Sequence, residues 1–180
     1  MSPEAILQLL DEIDTWCARE GIRDLDLVMI GGAAGTLVWS SPRMTGDLDV
    51  VVKGEGELAR LEEVFGRETG REPWLDVVLA GIPRIPEGWR QRTRVFPGTW
   101  ERLTVRHLSE ADQIATKLRR FLPHDRRDIE FLYNLHPEVR GPLSALNGSA
   151  YWMEPDVWEA EIEPRRDRVL AFLDGRIRAL

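Results

Sequence analysis

Asp47 and Asp49 stand one residue apart and run straight into Val50, Val51 and Val52. In a strand, alternate residues share a face, so both carboxylates are presented side by side while Leu48 and Val50 face the other way. Two like charges that close repel each other. Either one takes a proton or both hold a cation, and oxygen donors select Mg²⁺ or Mn²⁺. A third acid, Asp76, lies inside another apolar run, Trp74 to Leu79, where an unpaired carboxylate is costly. If the two strands pair, three carboxylates can hold two metals about 3.5–4 Å apart and support an in-line phosphoryl transfer. Gly31 and Gly32 fit the other half of such a substrate. They sit between an apolar run and a short helical one, where exposed N–H groups and the helix dipole attract an anion. Without side chains they let a phosphate approach the backbone. No G-x-G-x-x-G is present, nor the G-K-[ST] ending of a P-loop. A lone D-x-D or Gly-Gly turn is common without any such chemistry. Their order here, with a later strand Asp, is what makes the combination specific.

The elements that must position these residues follow from periodicity. Ser2-Pro3 caps a first helix that runs to about Glu20, with Ile6, Leu9, Leu10, Ile13, Trp16 and Cys17 at helical spacing and Gly21 as its stop. Leu25–Ile30 reads as a strand, Gly31-Gly32 as a turn, Ala33–Trp39 as a buried helix and Asp47–Lys53 as a second strand. Glu57–Phe65 is an outer helix and Trp74–Leu79 a third strand. Gly81–Gly98 is rich in Pro, Gly and Arg and reads as an irregular loop with a short strand near Val95. Arg102–Leu108 alternates as a strand. Ser109-Glu110-Ala111-Asp112 resembles a capping box that opens a helix to about Leu122. Pro123 breaks that helix, and Asp125 caps another through Tyr133. Pro164–Ala179 reads as a closing helix. Strands and helices mix in an α/β (α+β) order, predicting a mixed central sheet of four or five strands flanked by helices. The expected organisation is a core over residues 1–135 and a helical extension over 136–180 packed on it.

The 180 residues suit one domain. No apolar run approaches about 18 residues, so no membrane span is expected. The first residues open directly into the amphipathic pattern, with no sign of a signal peptide. Cys17 is the lone cysteine, which fits a reducing cytoplasm. The net charge of −7 argues against a dedicated nucleic-acid binder. It is unevenly spread, with arginines at 84, 90, 92, 94, 102 and 106 in one stretch. Among the 24 cationic residues only Lys53 and Lys117 are lysines, so Lys117 stands out as a point-charge ammonium.

The pattern "GG…R-x-T-x-D-L-D-V-V-V", followed by "WLDVVL", resembles the nucleotidyltransferase superfamily with the DNA polymerase β-like fold. Gly31, Gly32, Asp47, Asp49 and Asp76 match its minimal motif position by position. The segment Leu108–Leu132, "LSEADQIATKLRRFLPHDRRDIEFL", is similar to a block of prokaryotic nucleotidyltransferase-like proteins, among them the nucleotidyltransferase toxins of toxin–antitoxin pairs. The resemblance implies a polymerase β-like core, an NTP as substrate and Mg²⁺ or Mn²⁺ as cofactor. It implies NMP transfer to an acceptor hydroxyl or phosphate, with a tRNA or protein as acceptor and an antitoxin as partner. By it, Asp47 and Asp49 hold the metal, and Asp76 completes the site and helps deprotonate the acceptor. Lys117 lies on the triphosphate, with Asp128 beside it or acting as a base. Arg43 and Thr45, just before the D-x-D, either contact phosphate or fix the loop. Lys117 and Asp128 read equally well as a plain ion pair on a helix face. Two other readings stay open: a small-molecule adenylyltransferase acting on antibiotics, and a nucleotidyltransferase-like module that binds without catalysis.

His107, His124 and His136 are scattered and form no zinc pattern. His107, on the strand leading to Lys117, is expected in the core or near the site. Trp74, Trp89 and Trp100 alternate with arginines, a pairing that stacks bases and binds phosphates or simply packs on the core.

Overall fold

The structure, a computed structural model, describes residues 1–52, 55–78, 85, 88–118, 121–139 and 171. The expected closing helix lies outside these residues apart from Ala171, which is helical, and so do Lys53, Leu79 and most of the extension beyond Val139. The chain divides into two compact units, one of Met1–Ile82 with Thr93–Leu108, the other of Pro83–Arg92 with Ser109–Leu180.

The first unit opens with α1 (Pro3–Glu20), where Ser2 Oγ accepts the Ala5 N–H at 3.3 Å and Gly21 closes the helix at φ +73°. Its predicted stripe is buried from Ile6 to Cys17. Full burial of such side chains stabilises by about 1.5–3 kcal/mol each. Then follow β1 (Leu25–Met29), α2 (Gly31–Trp39), β2 (Asp47–Val52), α3 (Glu55–Phe65), a 3₁₀ turn at Arg67–Thr69 and β3 (Trp74–Val77). After the excursion into the second unit come β4 (Arg94–Val95), the short strand expected near Val95, and β5 (Leu103–His107). Among the described residues the sheet has five strands in the order β3-β2-β1-β5-β4. It is mixed: β1 runs antiparallel to β2 and parallel to β5, β2 parallel to β3, and β4 antiparallel to β5. The α+β arrangement is the one expected.

Register sorts the two faces. Met29 pairs Val50 and His107, Leu27 pairs Val52 and Val105, Leu25 pairs Leu103, Leu48 pairs Leu75, and all of these are buried. This apolar face needs a cover. α1 and α3 supply it, meeting each other through an edge-on contact of Trp16 and Phe65 at 5.7 Å. Trp39 of α2 meets His107 edge-on at 5.6 Å. The opposite face carries Asp26, Asp47, Asp49, Trp74, Asp76, Thr104 and Arg106, together with the buried Val28 and Val51. There Arg106 pairs with Asp26 at 3.3 Å.

The second unit holds α4 (Trp89–Arg92), α5 (Glu110–Leu118), α6 (Pro123–Leu135) and a 3₁₀ turn at Pro137–Val139. Ser109 caps α5 as expected, accepting the Asp112 N–H at 3.2 Å. Asp112 is fully buried, and Arg92 grips it with two hydrogen bonds of 2.9 and 2.7 Å. α5 is described as far as Leu118; residues 119 and 120 lie outside the described residues, and Phe121, expected inside the helix, is not helical. The two helices are separate, with Phe121 and Leu122 non-helical between them, as expected, and Pro123 is itself the first residue of α6, where no N–H partner is needed. Asp125 therefore sits inside the helix, where its carboxylate reaches back to accept the Leu122 N–H at 3.0 Å.

Candidate active site

β2 and β3 lie side by side in parallel register, with Asp49 opposite Asp76 and Asp47 opposite Trp74. The strand alternation that places Asp47 and Asp49 on one face thus brings in Asp76 from the neighbouring strand. One carboxylate oxygen from each lies within 4.8 Å of the other two. Asp47 and Asp49 are partly buried and Asp76 is exposed, so the cluster opens to solvent on the Asp76 side. Three carboxylates this close repel one another, and a hard divalent cation relieves the repulsion. Such a donor set fits Mg²⁺ or Mn²⁺.

α2 starts at Gly31, two residues before the expected Ala33, so the glycines form its first turn. Its cap residue, Ile30, makes no side-chain cap hydrogen bond. Gly31 has φ +62°, in the left-handed region that favours glycine. A Cβ there would stand 2.2 Å from Asp49 Oδ2, and one on Gly32 would stand 2.7 Å from Thr45 Oγ1 and 3.3 Å from Arg43 Nη2. The space that a Cβ would need at the two glycines is taken by the protein's own Asp49, Thr45 and Arg43. The bare backbone is needed so that the turn can press against the acids.

Thr45 donates its hydroxyl to Asp47 Oδ1 at 3.0 Å, which fixes the rotamer of one acid. The loop leading into β2 is itself held from α2. Thr36 donates to the Arg43 carbonyl at 2.8 Å, and the Arg43 N–H donates to Ser41 Oγ at 3.3 Å. Thr36 and Ser41 carried no sequence signal, since their partners are set by the path of the loop.

Lys117 and Asp128 come together in the second unit. Nζ lies 2.7 Å from Oδ2, and the two side chains are 5 % and 13 % exposed. This ties α5 to α6. His107 is buried, with Nδ1 2.8 Å from the Leu108 carbonyl oxygen, the core placement the sequence allowed. Among the described residues no helix is long and apolar enough to cross a membrane.

A mixed sheet with three convergent acids, closed on one flank by a glycine turn, is an arrangement suited to nucleotidyl transfer. Residues 4–134 match the model of a family described as a nucleotidyltransferase of unknown function (DUF6036), and the chain belongs to that family. The match takes in the three acids, the glycine turn, Lys117 and Asp128. A crystal structure of an antigenic nucleotidyltransferase-like protein from Paracoccidioides brasiliensis is similar at 16 % identity and a TM-score of 0.49, over 94 % of each chain. At that score the likeness assigns no chemistry. No protein of curated function matches the chain.

Proposed function

We propose that the chain transfers a nucleoside monophosphate from an NTP to an acceptor hydroxyl or phosphate and releases pyrophosphate. The observation that carries this reading is the convergence of Asp47, Asp49 and Asp76 beside the Gly31-Gly32 turn, in a chain of a nucleotidyltransferase family. Asp47, Asp49 and Asp76 would hold Mg²⁺ or Mn²⁺, which when bound offsets charge on the triphosphate and favours ionisation of the acceptor.

The residues do the rest. The acceptor oxygen forms a bond to the α-phosphorus while the bond from that phosphorus to the bridging oxygen breaks, so pyrophosphate leaves. Asp76, the exposed acid, would take the acceptor's proton. Thr45 holds Asp47 in orientation, and Arg43, its guanidinium beside Gly32, offsets phosphate charge at the turn. Lys117 and Asp128 enter through the resemblance of their segment, which supports Lys117 as a contact to the triphosphate. The toxin reading, with a tRNA or protein acceptor and an antitoxin partner, rests on the same segment.

A label-transfer assay tests the proposal. The protein is incubated with each α-labelled NTP, Mg²⁺ or Mn²⁺, and total RNA or cell extract. Label moving to a macromolecule, and absent with Asp49→Asn, names donor and acceptor. Labelled NTP left intact under every condition sinks the reading.

A further inference from the structure

We propose that Trp74, with the Arg67 guanidinium on its ring, is the platform on which the acceptor's terminal nucleobase stacks, which makes the acceptor a single-stranded nucleic-acid end. This rests on the transfer reading above.

The three tryptophans of the Trp/Arg stretch separate cleanly. Trp89 is buried with Arg90 on its ring. Trp100 donates its indole N–H to Asp11 at 2.8 Å and lies against Phe96. Trp74 stands beside the acids. It pairs with Asp47 across the strands, shares the face of Asp47, Asp49 and Asp76, and is only partly buried. The far edge of its ring lies 3.9 Å from where a Cβ on Gly46 would be, one residue before Asp47. Arg67 is exposed, 5.8 Å above the ring, and among the described residues no carboxylate pairs with it.

Position assigns this pair to the acceptor. β2 lies between β1 and β3. The glycine turn presses on Asp49 from the β1 flank, with the Arg43 guanidinium beside Gly32, whereas Trp74 and Arg67 flank the acids from β3. Phosphate held at the turn leaves the β3 flank for the incoming group. An aromatic ring accepts any base by stacking, and a neighbouring guanidinium takes the phosphate. The net charge of −7 disfavours a long polyanion, so one stacked base and one phosphate is the scale of contact that fits.

The test uses the full chain with Mn²⁺ and a fluorescein-labelled single-stranded RNA of about eight nucleotides, a typical footprint for such contacts. A second RNA is identical but lacks the 3′-terminal base. Anisotropy gives each affinity, and calorimetry gives the affinity for an NTP with Mn²⁺. The wild type is expected to prefer the complete RNA by about fivefold to a hundredfold, the worth of one stacked base. Trp74→Leu should bind both RNAs alike, Trp74→Phe should restore the preference, and NTP affinity should stay unchanged in both variants. Equal binding of the two RNAs by the wild type, or no RNA binding with NTP binding intact, overturns the platform alone. NTP affinity falling in step with RNA affinity in Trp74→Leu also overturns it. Loss of NTP binding in the wild type overturns the transfer reading and the platform with it.

Discussion

Gly31 is where backbone and candidate centre meet most closely. Alanine there must hold φ +62° and place its methyl carbon 2.2 Å from Asp49 Oδ2. The left-handed conformation alone costs about 1–2 kcal/mol, and Asp49 must also move. Gly31→Ala is expected to lower both the melting temperature and Mn²⁺ affinity. Gly21→Ala, at φ +73° with nothing within 4 Å, should lower the melting temperature only. Melting curves and Mn²⁺ titrations of the two variants separate these effects. Cys17 offers a second check. Burial, reinforced by Asp14, pushes its thiol from 9.0 up to about 11. Alkylation near neutral pH should be slow until the chain unfolds. Because the unfolded thiol ionises first, its contribution to stability is present below about pH 9 and is lost as pH rises through about 11. The acids were legible in the sequence because strand alternation is local. The hold of Thr45 on Asp47 and of Thr36 on the Arg43 carbonyl was not, because both depend on how residues 40–46 fold back over α2.

At the level of elements, the α5–α6 pair turns on Lys117 and Asp128. Removing one partner of a buried pair strands the other's charge and costs about 3–5 kcal/mol. Lys117→Met and Asp128→Leu are each expected to melt well below the wild type, and the double variant should recover most of the loss. If Lys117 also serves the triphosphate, transfer stays lost in the stable double variant. Recovery of transfer along with stability would make the pair purely structural. Helix and strand identities were legible from periodicity, but several ends were not. The break at Pro123 was legible, but the start of α6 at Pro123 rather than at Asp125 was not. Gly31 reads as a turn and is also the first residue of α2, because the turn and the helix share the same bend.

For the whole molecule, the sheet divides the labour, with an apolar face on one side and the acids on the other, beside the buried Val28 and Val51. The alternation in each strand announced that division. It could not announce that β3 pairs with β2, since register between strands 27 residues apart is set by tertiary packing, as Asp49 opposite Asp76 shows. Bound Mn²⁺ at about a hundred times its dissociation constant adds about 2.7 kcal/mol to stability. The melting temperature of the wild type should therefore climb with Mn²⁺, and that of Asp49→Asn should climb far less. The most direct test of the account is the rate of pyrophosphate release from the four NTPs, with Mg²⁺ and total cell RNA, for the wild type and for Asp49→Asn. The account predicts metal-dependent pyrophosphate release that falls by about a hundredfold or more in the variant, the scale of a lost transition-state contact of several kcal/mol. Orthophosphate released in place of pyrophosphate, or a variant within about tenfold of the wild type, would contradict it.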